Sequence, residues 1–157
     1  MSEPVEDAAS AGAANAGNAA GAVGSHLLVR AGDFVCALPL KSVRRVMRAL
    51  TIHPLPGATP ELKGLSEFAG EPLPILDLAR LVGAPQGPSP AFPVTIVAWA
   101  GPPEAREAVG LAAEAALGVV AVPPGSVVVG EGGFVVGEAS VAGDVVRVLN
   151  LEALGRR

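Results

Sequence analysis

Apolar positions recur along this chain in short runs rather than in long amphipathic stretches. Leu27, Leu28 and Val29 are followed by the Ala31-Gly32-Asp33 turn, and Phe34 to Leu38 then forms a second run. Pro93 to Ala100, Ala108 to Ala113, Leu117 to Val122, Val127 to Val129 and Phe134 to Val136 repeat the theme, each bounded by glycine or proline. Runs of four to eight apolar residues between such breakers predict strands. Residues 40–55 fit two patterns. Val43, Val46, Met47 and Leu50 fall at i, i+3, i+4 and i+7 opposite Lys41, Arg44, Arg45 and Arg48, a spacing that predicts an amphipathic helix. Thr51-Ile52-His53, closed by Pro54 and Pro56, predicts a strand.

The most informative stretch is Gly64 to Gly83. One run leads to Gly70 and a second, Leu73 to Leu76, ends at Asp77, which heads a short helical phrase containing Leu78 and Leu81. Gly70-Glu71 reads as hairpin punctuation and Asp77 as an N-cap. The phrase returns 73 residues later, as Gly64/Gly137, Ala69/Ala142, Gly70/Gly143, Leu76/Leu149, Leu78/Leu151 and Leu81/Leu154. Glu71/Asp144 and Asp77/Asn150 keep the chemistry of turn and cap. In so apolar a chain a few leucine matches arise by chance, but turns and caps arriving in one register indicate two copies of one supersecondary unit. Many short strands with an internal repeat predict an all-β protein built as two small barrels.

Composition narrows the function. Residues 1–24 hold nine alanines and four glycines with almost nothing large, so they are expected to form a disordered tail ahead of a folded body at 25–157. A proline-rich linker is expected near 83–93. The net charge of −4 arises largely in the tail, and from Ser25 onward 11 basic residues face 12 acidic ones. A nearly neutral body with no Tyr and one Trp argues against nucleic acid as the main partner. No run suits a spanning helix and the N-terminus lacks a basic signal-peptide region, so a cytoplasmic location without membrane insertion is expected. One cysteine fits a reducing compartment.

Candidate chemistry is sparse. His26, His53 and Cys36 have no zinc-site spacing, so no metal is expected. Ser66 lies in Gly-Leu-Ser-Glu-Phe, which lacks the second glycine of a nucleophile elbow; a small serine hydrolase using Ser66 with His53 is the weaker, different-class alternative. Gly130, Gly132 and Gly133 precede a β run instead of a helix and read as a hairpin loop. Cys36 lies among apolar neighbours and reads as inert core. The cluster Lys41, Arg44, Arg45 and Arg48 reads either as a solvated face or as a docking surface for an acidic partner, with Val43, Val46 and Met47 as anchors. With no catalytic or cofactor-binding constellation, a binding module is favoured.

From about His26 to Gly155 the chain resembles the CheW-like domain family of bacterial chemosensory coupling modules. The resemblance rests on Ala37-Leu38-Pro39-Leu40 followed by Val43 and Val46, on Pro54-Leu55-Pro56-Gly57, on Pro74-Ile75-Leu76-Asp77-Leu78, and on Val109-Gly110-Leu111 with Leu117-Gly118-Val119-Val120. It implies two intertwined five-stranded SH3-like β-barrels with short helices, and a non-catalytic, cofactor-free adaptor coupling a CheA-type histidine kinase to the cytoplasmic tip of chemoreceptors. It also implies partner binding through Val43, Arg45, Val46, Met47, Glu67 and Ala69, and residues from about Val43 onward as a strand. The sequence departs from the family pattern at two of these positions. Ala69 stands where Arg is usual before the hairpin glycine, and Arg45 where Glu is common. Glu114 and Asn150 stand where Asp is common. If those two positions form a charge pair in typical members, losing both partners together is physically coherent, since removing only one leaves an uncompensated charge. A divergent module with a different signalling partner is the related alternative.

Overall fold

The structure is a computed structural model and describes residues 24–84, 93–122, 127–132 and 134–154. The expected tail, apart from Gly24, which opens the first strand, and most of the expected linker lie outside the described residues. Eleven strands are present among these: β1 (Gly24–Ala31), β2 (Phe34–Pro39), β3 (Val43–Arg48), β4 (Leu62–Phe68), β5 (Glu71–Asp77), β6 (Val94–Ala100), β7 (Glu107–Ala113), β8 (Ala115–Val122), β9 (Val128–Gly132), β10 (Val135–Val141) and β11 (Asp144–Leu149). The one short α-helix among them, α1 (Leu78–Leu81), follows β5.

The strands form two sheets, ordered β3-β6-β7-β5-β4 and β8-β1-β2-β11-β10-β9. The halves of the chain are exchanged between them. β1 and β2, from the first half, sit inside the second sheet, and β3 to β5 complete the first. Two parallel pairings make the exchange, β5 with β7 (Ile75 opposite Gly110) and β2 with β11 (Ala37 opposite Val148). The first sheet closes on itself where His53 and Leu65 exchange backbone hydrogen bonds of 2.8 and 3.0 Å. This produces two intertwined all-β barrels. The first has five strands; in the second, the segment matching residues near His53 is longer and counts as β9, so that sheet has six. Thr51-Ile52-His53 is therefore an isolated bridge at His53 instead of a strand.

The repeat inferred from sequence is structural. Shifting β4 and β5 by 73 residues gives β10 and β11, and the same shift carries the parallel pair Ile75–Gly110 onto Val148–Ala37. Both two-residue hairpin loops put two residues at positive φ, Ala69 (54°) with Gly70 (82°) and Ala142 (52°) with Gly143 (86°), the signature of a type I′ turn. Asp77 accepts from Arg80 N (3.3 Å) and Asn150 from Glu152 N (3.0 Å), so both expected caps form. The offset changes before β2 and β7, and again before β9, where Val128 opposite Glu138 corresponds to His53 opposite Leu65. The β1–β2 turn needs two residues, whereas residues 101–106 join β6 to β7, so Leu27 in β1 corresponds to Ile96 in β6.

Each barrel encloses a small core. Leu73, Ile75, Val97 and Ala112 fill the first, and Ala37, Val122, Ala139, Val146 and Val148 the second. The largest cluster lies between the barrels and is contributed in matched pairs by both repeats, including Leu27/Ile96, Val29/Ala98, Leu38/Leu111 and Leu78/Leu151. Burying each leucine there contributes about 1.5–3 kcal/mol before entropy. This shared core holds the two barrels together.

The amphipathic helix expected over Val43–Leu50 does not form. Leu40–Ser42 makes one 3-10 turn and β3 follows, antiparallel to β6. Arg44 is an extra residue in the ladder, since Val43 lies opposite Ala98 and Arg45 opposite Val97. Such a bulge turns the spacing of two into a spacing of three. Val43 and Val46 therefore both pack on the shared core, while Met47 points into the first barrel. The helix-like periodicity is a bulged strand with both faces partly covered.

Candidate functional site

β3 is an edge strand of the first sheet and β4 is the other edge, so barrel closure sets the start of β3 beside the end of β4. The Arg44 guanidinium lies 5.4 Å from the Phe68 ring centroid, which confirms the proximity. The six residues implicated by the family resemblance divide between these edges. Arg45 is exposed on β3, Glu67 is exposed on β4, and Ala69 is exposed at the tip of the β4–β5 hairpin. Val43, Val46 and Met47 are half-buried and already committed to internal cores, so they offer only part of their surface.

Two residues that sequence reasoning did not assign to a site complete the surface. Trp99, half-buried near the end of β6, carries Arg44 at 4.5 Å and Arg106 at 4.3 Å from its ring. Arg106 arrives from the β6–β7 connection, where residues 103–105 form a 3-10 turn. Cation–π contacts at exposed positions contribute about 0.5–1 kcal/mol each. The available signal was the chain's single tryptophan at a strand end, but the connection that delivers Arg106 has no counterpart in the first half of the repeat. At the equivalent bulge of the second barrel the extra residue is Leu117 in place of Arg44, 47 % exposed. Equivalent places in the two barrels thus carry opposite chemistry.

The remaining candidates fall into structural roles. Cys36 is fully buried, and burial pushes its thiol up to about 12, with the positive charge of Arg147 opposing. Arg147 covers the Phe34 ring at 3.6 Å and pairs with Glu138 at 3.6 Å. Glu114 accepts from Gly32 N at 3.1 Å, so it holds the β1–β2 turn. Gly64 is required where His53 bridges to β4, because a Cβ there would lie 2.4 Å from His53 O. Ser66 is an ordinary strand residue; His53 pairs with its neighbour Leu65, which places the two side chains on opposite faces of the ladder. Among the described residues no group of three or more His, Cys, Asp or Glu could hold a metal ion. Nor is any helix among them long and apolar enough to cross a membrane.

Two interlocked β-barrels enclose one shared core and present an edge strand and a hairpin tip side by side. The chain belongs to the CheW-like domain family, whose profile matches residues 25–157. Among solved structures it is similar to the scaffolding protein TtCheW from Thermoanaerobacter tengcongensis, with a TM-score of 0.69 and 16 % identity over 82 % of this chain and 89 % of that one. At that identity the likeness speaks for the fold. Comparison of the sequence with curated proteins returns no match.

Proposed function

We propose that the protein is a cytoplasmic, non-catalytic adaptor that couples chemoreceptors to a CheA-type histidine kinase. The observation that carries this reading is a CheW-like double barrel over nearly the whole described chain, with Arg45, Glu67 and Ala69 exposed at adjoining edges. Around them Val43, Val46 and Met47 supply the rim of apolar surface that a docking partner can complete. Tagged protein captured from cytosol at micromolar concentration is expected to bring down a CheA-type kinase, receptor or both. Recovery of neither would remove the main support for the adaptor reading.

A second reading, a CheW-like module with a different signalling partner, is favoured by one specific observation. Ala69 sits at φ +54° on the hairpin tip, where a long charged side chain is usual in the family, and Arg45 is exposed with no ion pair among the described residues. Ala69→Arg combined with Arg45→Glu would then confer binding to a conventional chemosensory kinase that the native chain does not bind. No gain from the double change would place the difference elsewhere.

A further inference from the structure

The bulge at Arg44 and the connection before β7 converge on one ring. Arg44 and Arg106 both stack on Trp99, and Arg44 also reaches Phe68. Among the described residues neither guanidinium is in an ion pair, although Glu104 and Glu107 are exposed beside Arg106 in sequence and Glu67 is exposed next to Phe68. Arg45 and Arg48 are exposed on the same short strand. Two planar cations held on one indole are preorganised, so an arriving carboxylate gains charge-assisted hydrogen bonds without having to order them. The equivalent end of the second barrel has Leu117 and Gly118 in place of Arg44 and Arg45, so the two stacked cations have no counterpart at that bulge among the described residues.

We infer that the Arg44–Trp99–Arg106 cluster, extended by Arg45 and Arg48, is a docking site for an acidic segment of a partner protein, engaged through the first barrel only. Charge complementarity names the occupant, carboxylate side chains on an extended peptide. For its biological meaning the inference rests on the adaptor reading, but its test involves neither kinase nor receptor, so the two can fail separately.

The chain has one Trp and no Tyr, so its intrinsic emission reports this site directly. The full-length protein is titrated with a hexaglutamate peptide at low salt, with hexalysine and hexaserine peptides as controls. Saturable change in Trp99 emission with hexaglutamate alone is expected, weakening as salt is raised. Arg44→Gln with Arg106→Gln is expected to weaken binding at least about tenfold, because both charge-assisted contacts are lost, whereas Leu117→Gln leaves it unchanged. A second measurement needs no variant. The ratio of iodide to caesium quenching should be higher for native Trp99 than for free N-acetyltryptophanamide, because the guanidinium groups attract the anion and repel the cation. Absence of a hexaglutamate response, an equal response in the double variant, or an iodide-to-caesium quenching ratio no higher than that of the free indole would overturn the proposal. So would binding that appears only after Glu3, Glu6 and Asp7 are changed to Gln, because the occupant would then be the chain's own acidic segment.

Discussion

At the residue scale, the two barrels fill equivalent space with different side chains. Where the first places Gly110 opposite Ile75, the second places Ala37 opposite Val148. One methyl has moved across the pairing. A Cβ added at Gly110 would stand 2.6 Å from the Ile75 Cδ1 and 3.1 Å from the Thr95 Cγ2. Gly110→Ala is therefore expected to cost about 1–3 kcal/mol by overpacking, and Ile75→Val about 1 kcal/mol by loss of a methylene. Together they should cost clearly less than their sum, as a denaturant double-mutant cycle would measure. Strict additivity would show that the two sites do not share space. His26 gives a second expectation. Burial lowers its pKa from 6.5 and the nearby charge of Lys41 lowers it further, opposed by the hydrogen bond its Nδ1 donates to Gly24 O at 2.9 Å. Because the unfolded chain takes up the proton first, this contribution is fully present above about pH 6.5 and is lost as pH falls toward the folded-state value. Melting temperature should fall between pH 7.5 and 5.5, and His26→Gln should flatten that part of the profile.

At the scale of elements, the hairpins and their caps are locally determined and therefore legible. Gly70 and Gly143 announce the hairpins and Asp77 and Asn150 the caps, because each depends only on residues within a few positions. The pair read as the turn, Gly70-Glu71, lies one residue late, since Glu71 already pairs with Phe68. The turns are nevertheless imperfect, since Ala at φ +54° bears a cost that Asn largely avoids. Ala69→Asn is expected to raise the melting temperature by about 2–4 °C, the shift that about 1 kcal/mol produces in a domain near this size. A lower melting temperature would contradict the assigned turn geometry. β3 shows where local reading fails. The bulge at Arg44 changes a period of two into a step of three, and half-burial of both faces supplies apolar residues where a solvent-facing strand would have polar ones. The Trp99 cluster was hidden for a related reason: Arg44 and Arg106 are 62 positions apart and meet only through the β3–β6–β7 pairing.

At the scale of the molecule, the repeat told that two barrels exist but not which strands each would contain. That depends on the long-range parallel pairings of β2 with β11 and β5 with β7, which leave no local trace in the sequence. The consequence is testable. Because β1 and β2 complete the second barrel and both halves supply the shared core, neither half can bury its apolar surface alone. A chain divided between residues 88 and 89 should give two fragments that remain unfolded separately and recover β-sheet circular dichroism when mixed. Cooperative folding of either fragment alone would contradict the exchanged topology.

The role proposed for this double barrel is to hold other proteins together. It is tested most directly by sedimentation of the purified chain with a purified CheA-type kinase and a chemoreceptor cytoplasmic fragment. A complex at micromolar concentrations is expected. No complex with either partner at those concentrations would contradict it.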